Sequence, residues 1–315
     1  MPASIKKNIS VIIPTYNGAH KVVKVLESLL LQSKLPDEVL IVIDGSTDDT
    51  KSIIEQGQFD LPFLRIIEQS NQGRAGVRNR GAMEAKGDLL IFFDDDMILS
   101  VNCIQEHVQH HLFNPNSILN GDLKAFEEGR SGEFFRYELW LTNRWSLLNE
   151  EVIPNTVLLN NAYISANNFS LPKVVFNQLG GFDGRLKDAE DFDLAMSAQE
   201  MNVPIFLSRG AWAWHYDVNI KTFTKYIKRI RHYRLAQDTL IALKPERYQD
   251  KTKNKRYVEM PKGVKAIIFK LLAHKIFIKS LESKFWYWLP ISIRFKLYDA
   301  IITANGVYYI QNVEL

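Results

Sequence analysis

A single cysteine, Cys103, in 315 residues excludes an internal disulfide and makes a reducing compartment the expected setting. No uncharged apolar run reaches the ~20 residues that a membrane span requires, and residues 1–10 lack the apolar core of a secretory signal. The expectation is a cytoplasmic chain, either free or held peripherally on the inner face of the cell membrane. Charge of one sign is missing as well. Lys and Arg number 39 against 36 Asp and Glu, and the net +3 is too slight to argue for a nucleic-acid partner, although it leaves room for a local basic surface. A composition 46% hydrophobic and 24% charged fits neither a disordered nor a fibrous chain. The length suffices for one large α/β core, or for a domain with a tail.

The most informative stretch present is residues 88–97. Leu89-Leu90-Ile91-Phe92-Phe93 has no alternation of polar and apolar positions, the pattern of a strand covered on both faces within a parallel sheet. It runs straight into Asp94-Asp95-Asp96. Adjacent carboxylates repel one another, so gathering them at a half-buried strand end calls for a compensating cation, and a divalent metal is the natural partner. Ligands of open α/β sheets also bind beyond the carboxyl ends of the strands. A solvated acidic turn is the alternative.

The preceding residues build the same picture. Residues 9–14 read as a strand ending in Pro14-Thr15-Tyr16-Asn17-Gly18, and 20–31 as a helix with Val22, Val23, Leu26, Leu29 and Leu30 near helical spacing. Residues 38–43 form a second strand running into Asp44-Gly45-Ser46-Thr47-Asp48-Asp49-Thr50, a segment suited to capping the helix that follows. A third strand is expected over 63–67, a helix over 75–85, and a stop at Gly87. Strand-helix alternation over the first hundred residues implies right-handed crossovers and a parallel, Rossmann-like sheet with its polar loops on one edge.

Several of these segments, taken in order, resemble the motifs of the inverting family-2 glycosyltransferases of GT-A fold. On the nucleotide side they are Val11-Ile12-Ile13-Pro14-Thr15-Tyr16-Asn17, Asp44-Gly45-Ser46-Thr47-Asp48, Asn71 with Gly73, Arg78-Asn79 with Gly81, and Asp94-Asp95-Asp96. On the acceptor side they are Ala166-Asn167-Asn168-Phe169-Ser170-Leu171, Gly180-Gly181-Phe182-Asp183 and Glu190-Asp191-Phe192-Asp193-Leu194. The likeness spans residues 10 to about 215 and is loose over the last hundred. It implies a GT-A domain over 1–244, with a nucleotide-binding half (1–100) and an acceptor-side half that includes a basic helix (101–244), followed by a helical, basic and aromatic extension over 245–315.

The activity so implied is inverting, metal-dependent, non-processive transfer of a hexosyl or N-acetylhexosaminyl group. The donor is a nucleotide-diphospho-sugar, the acceptor a hydroxyl of a glycan or lipid-linked glycan in polysaccharide or glycolipid assembly. By resemblance Pro14, Tyr16, Asn17 and Asp44 shape the nucleotide site, Arg78 offers a planar donor to base or phosphate, Asp94 faces the ribose and Asp95 supports it. Asp96 ligates Mn²⁺ or Mg²⁺, and His215 is either a further ligand or a packed histidine beside Trp212 and Trp214. Asn167, Asn168 and Glu190 contact donor sugar, phosphate or acceptor, with an ordinary turn pair as the other reading of the asparagines. Asp191 is the base that takes the acceptor's proton; an acidic first helical turn, favoured by the helix dipole, is its structural alternative. Ile43 stands where many relatives carry an acid that reads the base edge, so uridine is expected but thymidine or another nucleoside stays open. The Gln-x-x-Arg-Trp pattern of processive relatives is absent after Asp191.

Residues 220–235 lack Gly and Pro. They place Ile220, Phe223, Tyr226, Ile227, Ile230 and Tyr233 on one helical face, with Lys221, Lys225, Lys228, Arg229 and His232 opposite. Such a helix suits an anionic membrane or a lipid-linked phosphate, or it docks on the domain with a solvated basic face. Residues 245–261 read as a linker, and 263–289 as lysine-dotted apolar helix and aromatics that suit either membrane contact or a homo-oligomer. Two rivals remain. A sugar nucleotidyltransferase would show a Gly-rich basic loop after the first strand, which Pro14-Thr15-Tyr16-Asn17-Gly18 is not; a non-catalytic nucleotide-sugar-binding protein would not need intact carboxylates.

Overall fold

The computed structural model describes residues 8–57, 59–61, 64–127, 130–145, 155–216, 222–248 and 261–308. It divides into two compact units, residues 1–126 with 148–216, and residues 127–147 with 217–315.

In the first unit β1 (Ile9–Thr15), α1 (Val22–Leu30), β2 (Glu38–Asp44), α2 (Thr50–Gln56), β3 (Leu64–Gln69), α3 (Gly73–Glu84) and β4 (Leu89–Phe93) alternate as the hydrophobic pattern requires. β1, β2 and β4 are buried at every position. Their lack of alternation follows from two cores. Val11, Ile13, Ile41 and Ile91 pack with α1 and α2 on one face, while Ile12, Leu40 and Phe92 pack with α3 on the other. Each such side chain contributes roughly 1.5–3 kcal/mol by leaving water. Gly81 lets α3 lie directly on β1, since a Cβ there would come within 2.4 Å of Ile12 Cγ2.

After the acid triplet come β5 (Met97–Leu99), α4 (Cys103–Phe113), β6 (Ile118–Ala125), α5 (Glu133–Trp145), β7 (Thr156–Leu158), β8 (Asn168–Pro172), α6 (Lys173–Gln178), α7 (Glu190–Glu200) and β9 (Ile205–His215). The sheet order is β3-β2-β1-β4-β8-β6-β9-β5, with β7 against β9. β3, β2, β1 and β4 are mutually parallel, and β8 runs antiparallel to both β4 and β6. Residues 163–166 form no strand. Asn120 holds that segment instead, its Nδ2 donating to Tyr163 O (3.0 Å) and its Oδ1 accepting from Ser165 N (2.9 Å), and the strand starts at Asn168.

The second unit contains α5, α8 (Phe223–Leu243), α9 (Pro245–Tyr248), α10 (Gly263–Leu272), α11 (Lys275–Glu282) and α12 (Ile291–Thr303). Its core gathers Tyr137, Phe223, Ile227, Ile278, Phe295 and Tyr298. The Tyr137 and Tyr298 rings stack at 4.8 Å, and the Tyr137 hydroxyl donates to Asp299 Oδ1 at 2.6 Å. The basic helix therefore clusters with the C-terminal helices, where the sequence reading set it with the residues before 244. The apolar face of Phe223 and Ile227 is what places it there. Arg231, unassigned by the sequence, is buried with its guanidinium on Asn305, whereas Arg234 lies 3.7 Å from Asp238 one turn along. Of the expected linker, residues 245–248 are helical and 249–260 lie outside the described residues, as do Phe63, Ile220 and Lys221.

Candidate active site

The polar residues gather where β1, β2 and β4 end. Pro14 is buried inside β1, and Tyr16, just beyond the strand, is 52% exposed. Asn17 takes a left-handed conformation (φ 47°) that ties the first loop to the second: its N–H donates to Ser46 Oγ at 2.9 Å and its Oδ1 accepts from Thr47 N at 2.8 Å. Gly18 N donates to Thr50 Oγ1 at 2.9 Å. A Cβ on Gly18 would lie 2.1 Å from Thr15 Oγ1 and 2.6 Å from Asp95 Oδ2, so only glycine fits there.

Asp44 is held by donors of the chain itself. Its carboxylate is buried and accepts from Gln69 Nε2 (2.7 Å) and from the backbone N–H groups of Gln72 (2.8 Å) and Gly73 (2.9 Å). These are the unsatisfied donors at the start of α3, where an anion is favoured. Ile43 is a core residue, so it cannot read a base edge.

The three aspartates between β4 and β5 have three different surroundings. Asp95 turns inward, accepting from Thr15 Oγ1 at 2.6 Å and pairing with Lys21 Nζ at 2.7 Å. Burial pushes its carboxyl up to about 6 against the pull of Lys21. Lys21, missed by sequence reading, becomes relevant only because β1 and β4 are neighbours. Burial disfavours its charge, yet Asp95 outweighs that and raises its proton affinity. Asp96 lies beside His215, Oδ1 to Nε2 3.5 Å, and this buried Oδ1 accepts no hydrogen bond. An orphaned carboxylate oxygen beside an imidazole fits one flank of a divalent-cation site, the rest of whose ligands would come from outside the chain. Among the described residues no cluster of three or more His, Cys, Asp or Glu could hold a metal without such help.

Asp94 faces Arg78. The Arg78 guanidinium is buried and bridges two carboxylates, Nη2 to Asp94 Oδ1 and Nη1 to Glu190 Oε1, both at 2.6 Å. Burial works to raise Asp94, but Arg78 prevails and holds it below the usual carboxylate range. Arg78 and Glu190, expected at substrate, thus pair with each other, with Glu190 only 3% exposed. The next residue of α3 makes a second link, Asn79 Nδ2 donating to Phe182 O (2.7 Å) and its Oδ1 accepting from Phe182 N (2.9 Å).

Asp191 is part-exposed, as Asp94 is. It opens α7 behind Ala189, whose backbone is left-handed (φ 63°), and its Oδ1 accepts from Phe192 N at 2.7 Å. Burial raises its proton affinity, opposed by the Phe192 N–H, by Arg78 and by the Ala166 backbone. Asn167 is also part-exposed. Its carbonyl accepts from Asp94 N at 3.2 Å and its Oδ1 from Ser165 Oγ at 2.7 Å. Asn168 does not reach this opening. It is fully buried, with Oδ1 2.9 Å from His107 Nε2 and Nδ2 donating to Ala211 O at 2.9 Å. His107 and His111 both meet Ser170 Oγ, at 2.7 and 2.8 Å, and His110 meets Ser117 Oγ at 2.8 Å. These histidines of α4 carried no sequence signal, since three polar residues on a short helix read as a solvated face.

A Rossmann-like sheet whose nucleotide-side loops close on an acidic strand end is the GT-A arrangement. The chain belongs to the glycosyl transferase family 2, whose family model matches residues 10–180. A glycosyltransferase of uncharacterised function from Haemophilus influenzae is 31% identical over 188 residues, 60% of each chain. The glycosyltransferase GlyG of Streptococcus pneumoniae is 30% identical over 130 residues, 41% of this chain and 43% of that one. The chain thus spans less than two thirds of these relatives. Two solved structures share the fold. Residues 1–349 of S. aureus TarS in complex with UDP match with TM-score 0.52 and 19% identity, over 94% of this chain and 90% of that chain. The mannosyltransferase PcManGT of Pyrobaculum calidifontis, in complex with GDP-Man and Mn²⁺, matches with TM-score 0.54 and 16% identity, over 95% and 75%.

Proposed function

We propose that this chain is an inverting, metal-dependent, non-processive glycosyltransferase that moves one sugar from a nucleotide-diphosphate donor, UDP in the first instance, to a hydroxyl of a glycan or lipid-linked glycan. The observation that carries the reading is Asp191, a part-exposed carboxyl of raised proton affinity. It lies on the segment that Arg78 and Asn79 tie to the nucleotide-side strand ends.

The acceptor oxygen forms its bond to the anomeric carbon as the bond from that carbon to the diphosphate oxygen breaks. The electron pair leaves with the diphosphate, and the hydroxyl proton passes to Asp191. Exposed Tyr16 offers a face on which the base can stack, and Asn17, pinned between two loops, fixes the backbone beneath it. Asp94, ionised beside Arg78, would accept from a ribose hydroxyl. Asp96 and His215 would hold Mn²⁺ or Mg²⁺, which when bound supplies countercharge to the diphosphate. In this reading Asp44, Asp95, Arg78, Glu190 and Asn168 position the site from behind.

The test is Asp191→Asn. The amide keeps shape and caps a helix nearly as well but cannot take the proton, so transfer should fall by about 10² or more while nucleotide affinity and melting temperature hold. Unchanged turnover would remove Asp191 from the reaction. For the metal, calorimetry of UDP binding with Mn²⁺ and with EDTA should give clearly weaker binding in EDTA; equal affinity would remove Asp96 and His215 as ligands.

A further inference from the structure

No residue of α10 is buried, although its sequence Gly-Val-Lys-Ala-Ile-Ile-Phe-Lys-Leu-Leu is mostly apolar. Val264, Ile267, Ile268 and Leu271 stand at i, i+3, i+4 and i+7, hence on one face, and are 73, 61, 49 and 56% exposed. A contiguous apolar stripe of this kind marks an interaction surface. Its setting is cationic. Lys262, Lys265 and Lys270 lie on or beside the helix, exposed Lys275 and Lys279 follow on α11, and no Asp or Glu occurs from residue 261 to 281. A little further on, Phe285, Tyr287 and Trp288 are 65, 51 and 73% exposed. Aromatic rings of this sort settle at the headgroup level of a bilayer.

We propose that α10, with its lysines and the aromatic turn at 285–288, docks the second unit on an anionic lipid bilayer. Among the described residues no helix is long and apolar enough to cross a membrane, so α10 would lie in the interface plane with its apolar stripe toward the acyl chains. Charge complementarity selects lipid over a second copy of the chain, because a two-fold contact through this face would set lysines against lysines. The sequence pointed to both α8 and residues 263–289 for this role. The structure turns the apolar face of α8 into the core and leaves that of α10 uncovered.

The experiment is flotation of the full chain with vesicles of phosphatidylcholine alone and of phosphatidylcholine mixed with phosphatidylglycerol, at low and high salt. Binding is expected only to the anionic vesicles and should weaken with salt. Lys265→Gln with Lys270→Gln should weaken it about 25-fold at low salt, fivefold for each lysine. Ile267→Gln with Leu271→Gln should weaken it by about tenfold or more. All four side chains are solvent-facing, so melting temperatures should match the parent and exclude misfolding as the cause. No binding to anionic vesicles, equal binding to neutral ones, or binding untouched by both double variants would overturn the proposal. So would a lipid-independent dimer in sedimentation that Ile267→Gln with Leu271→Gln dissolves, which would give the face to a second copy.

Discussion

At the ends of β1 and β2 many small ties hold the backbone. Asn17 meets Ser46 and Thr47, Gly18 meets Thr50, and Asp44 gathers three donors around the start of α3. The acceptor-side segment from Phe182 to α7 is held differently, hung from α3 by two adjacent residues, Arg78 and Asn79, and by the Arg74–Asp188 pair at 2.9 Å. Losing one tie of a redundant set costs little. Losing the buried cation between two carboxylates costs much more, so among these ties Arg78 matters most for the geometry of Asp191.

Arg78→Leu should show this most strongly. It strands Asp94 and Glu190 without a cation, and about 3–5 kcal/mol of stability should go with it. Arg78→Lys should rescue only part, since one ammonium cannot reproduce the two-pronged contact. Denaturant unfolding at neutral pH measures both, and a wild-type midpoint for Arg78→Leu would mean that the two halves are held by something else.

Acid gives the next largest effect. Burial holds His107 and His110 neutral, both lowered to about 4 from an unfolded value near 6.5. Their contribution is therefore complete above 6.5 and is lost as pH falls towards 4, because the unfolded chain takes up protons that the folded one refuses. The loss should be on the order of 1–3 kcal/mol per histidine. These histidines join α4 to Ser170 and Ser117 on the acceptor side, so hydrogen exchange in this pH window should quicken in β8 before β1 and β2. His110→Gln should flatten the stability profile, and simultaneous opening of all three strands would erase the contrast.

The smallest effect tests the nucleotide half alone. Tyr16→Ala removes an exposed ring, so melting should not move while UDP affinity falls about tenfold, the scale of one base-aromatic stack. Isothermal titration decides, and unchanged affinity would place the base away from Tyr16.

The sheet was readable because strands buried on both faces leave unbroken apolar runs, and the site edge because each run ends in polar loop residues. Contacts between distant segments were not readable. Arg78 meets Glu190 across 112 residues, and nothing near Arg78 distinguishes a buried bridge from a surface arginine. Asn167 and Asn168 look equivalent in sequence, yet the first residue of β8 sends the one into the core on His107 and leaves the other part-exposed. Lys21 and the α4 histidines stayed hidden for the same reason, since their partners are set by strand order rather than by spacing. In the second unit helical periodicity found the apolar face of α8 but not Arg231, whose burial depends on Asn305 in a later segment.

The position of β8 has a consequence for how this chain can be cut. β4, the strand that carries the acid triplet, lies between β1 and β8, and β8 comes from residues 168–172. A fragment ending near residue 116 would keep the motifs of the nucleotide half but turn β4 from an interior strand into a free border. That border would be five consecutive apolar residues with an unpaired row of N–H and C=O groups, a template for adding strands from other molecules. Such a fragment should polymerise rather than bind nucleotide, whereas a chain carried through β9 keeps both flanks of β4 paired. One uninterrupted sheet runs through residues 1–100 and 101–216 alike, and neither stretch is a module that can be moved by itself.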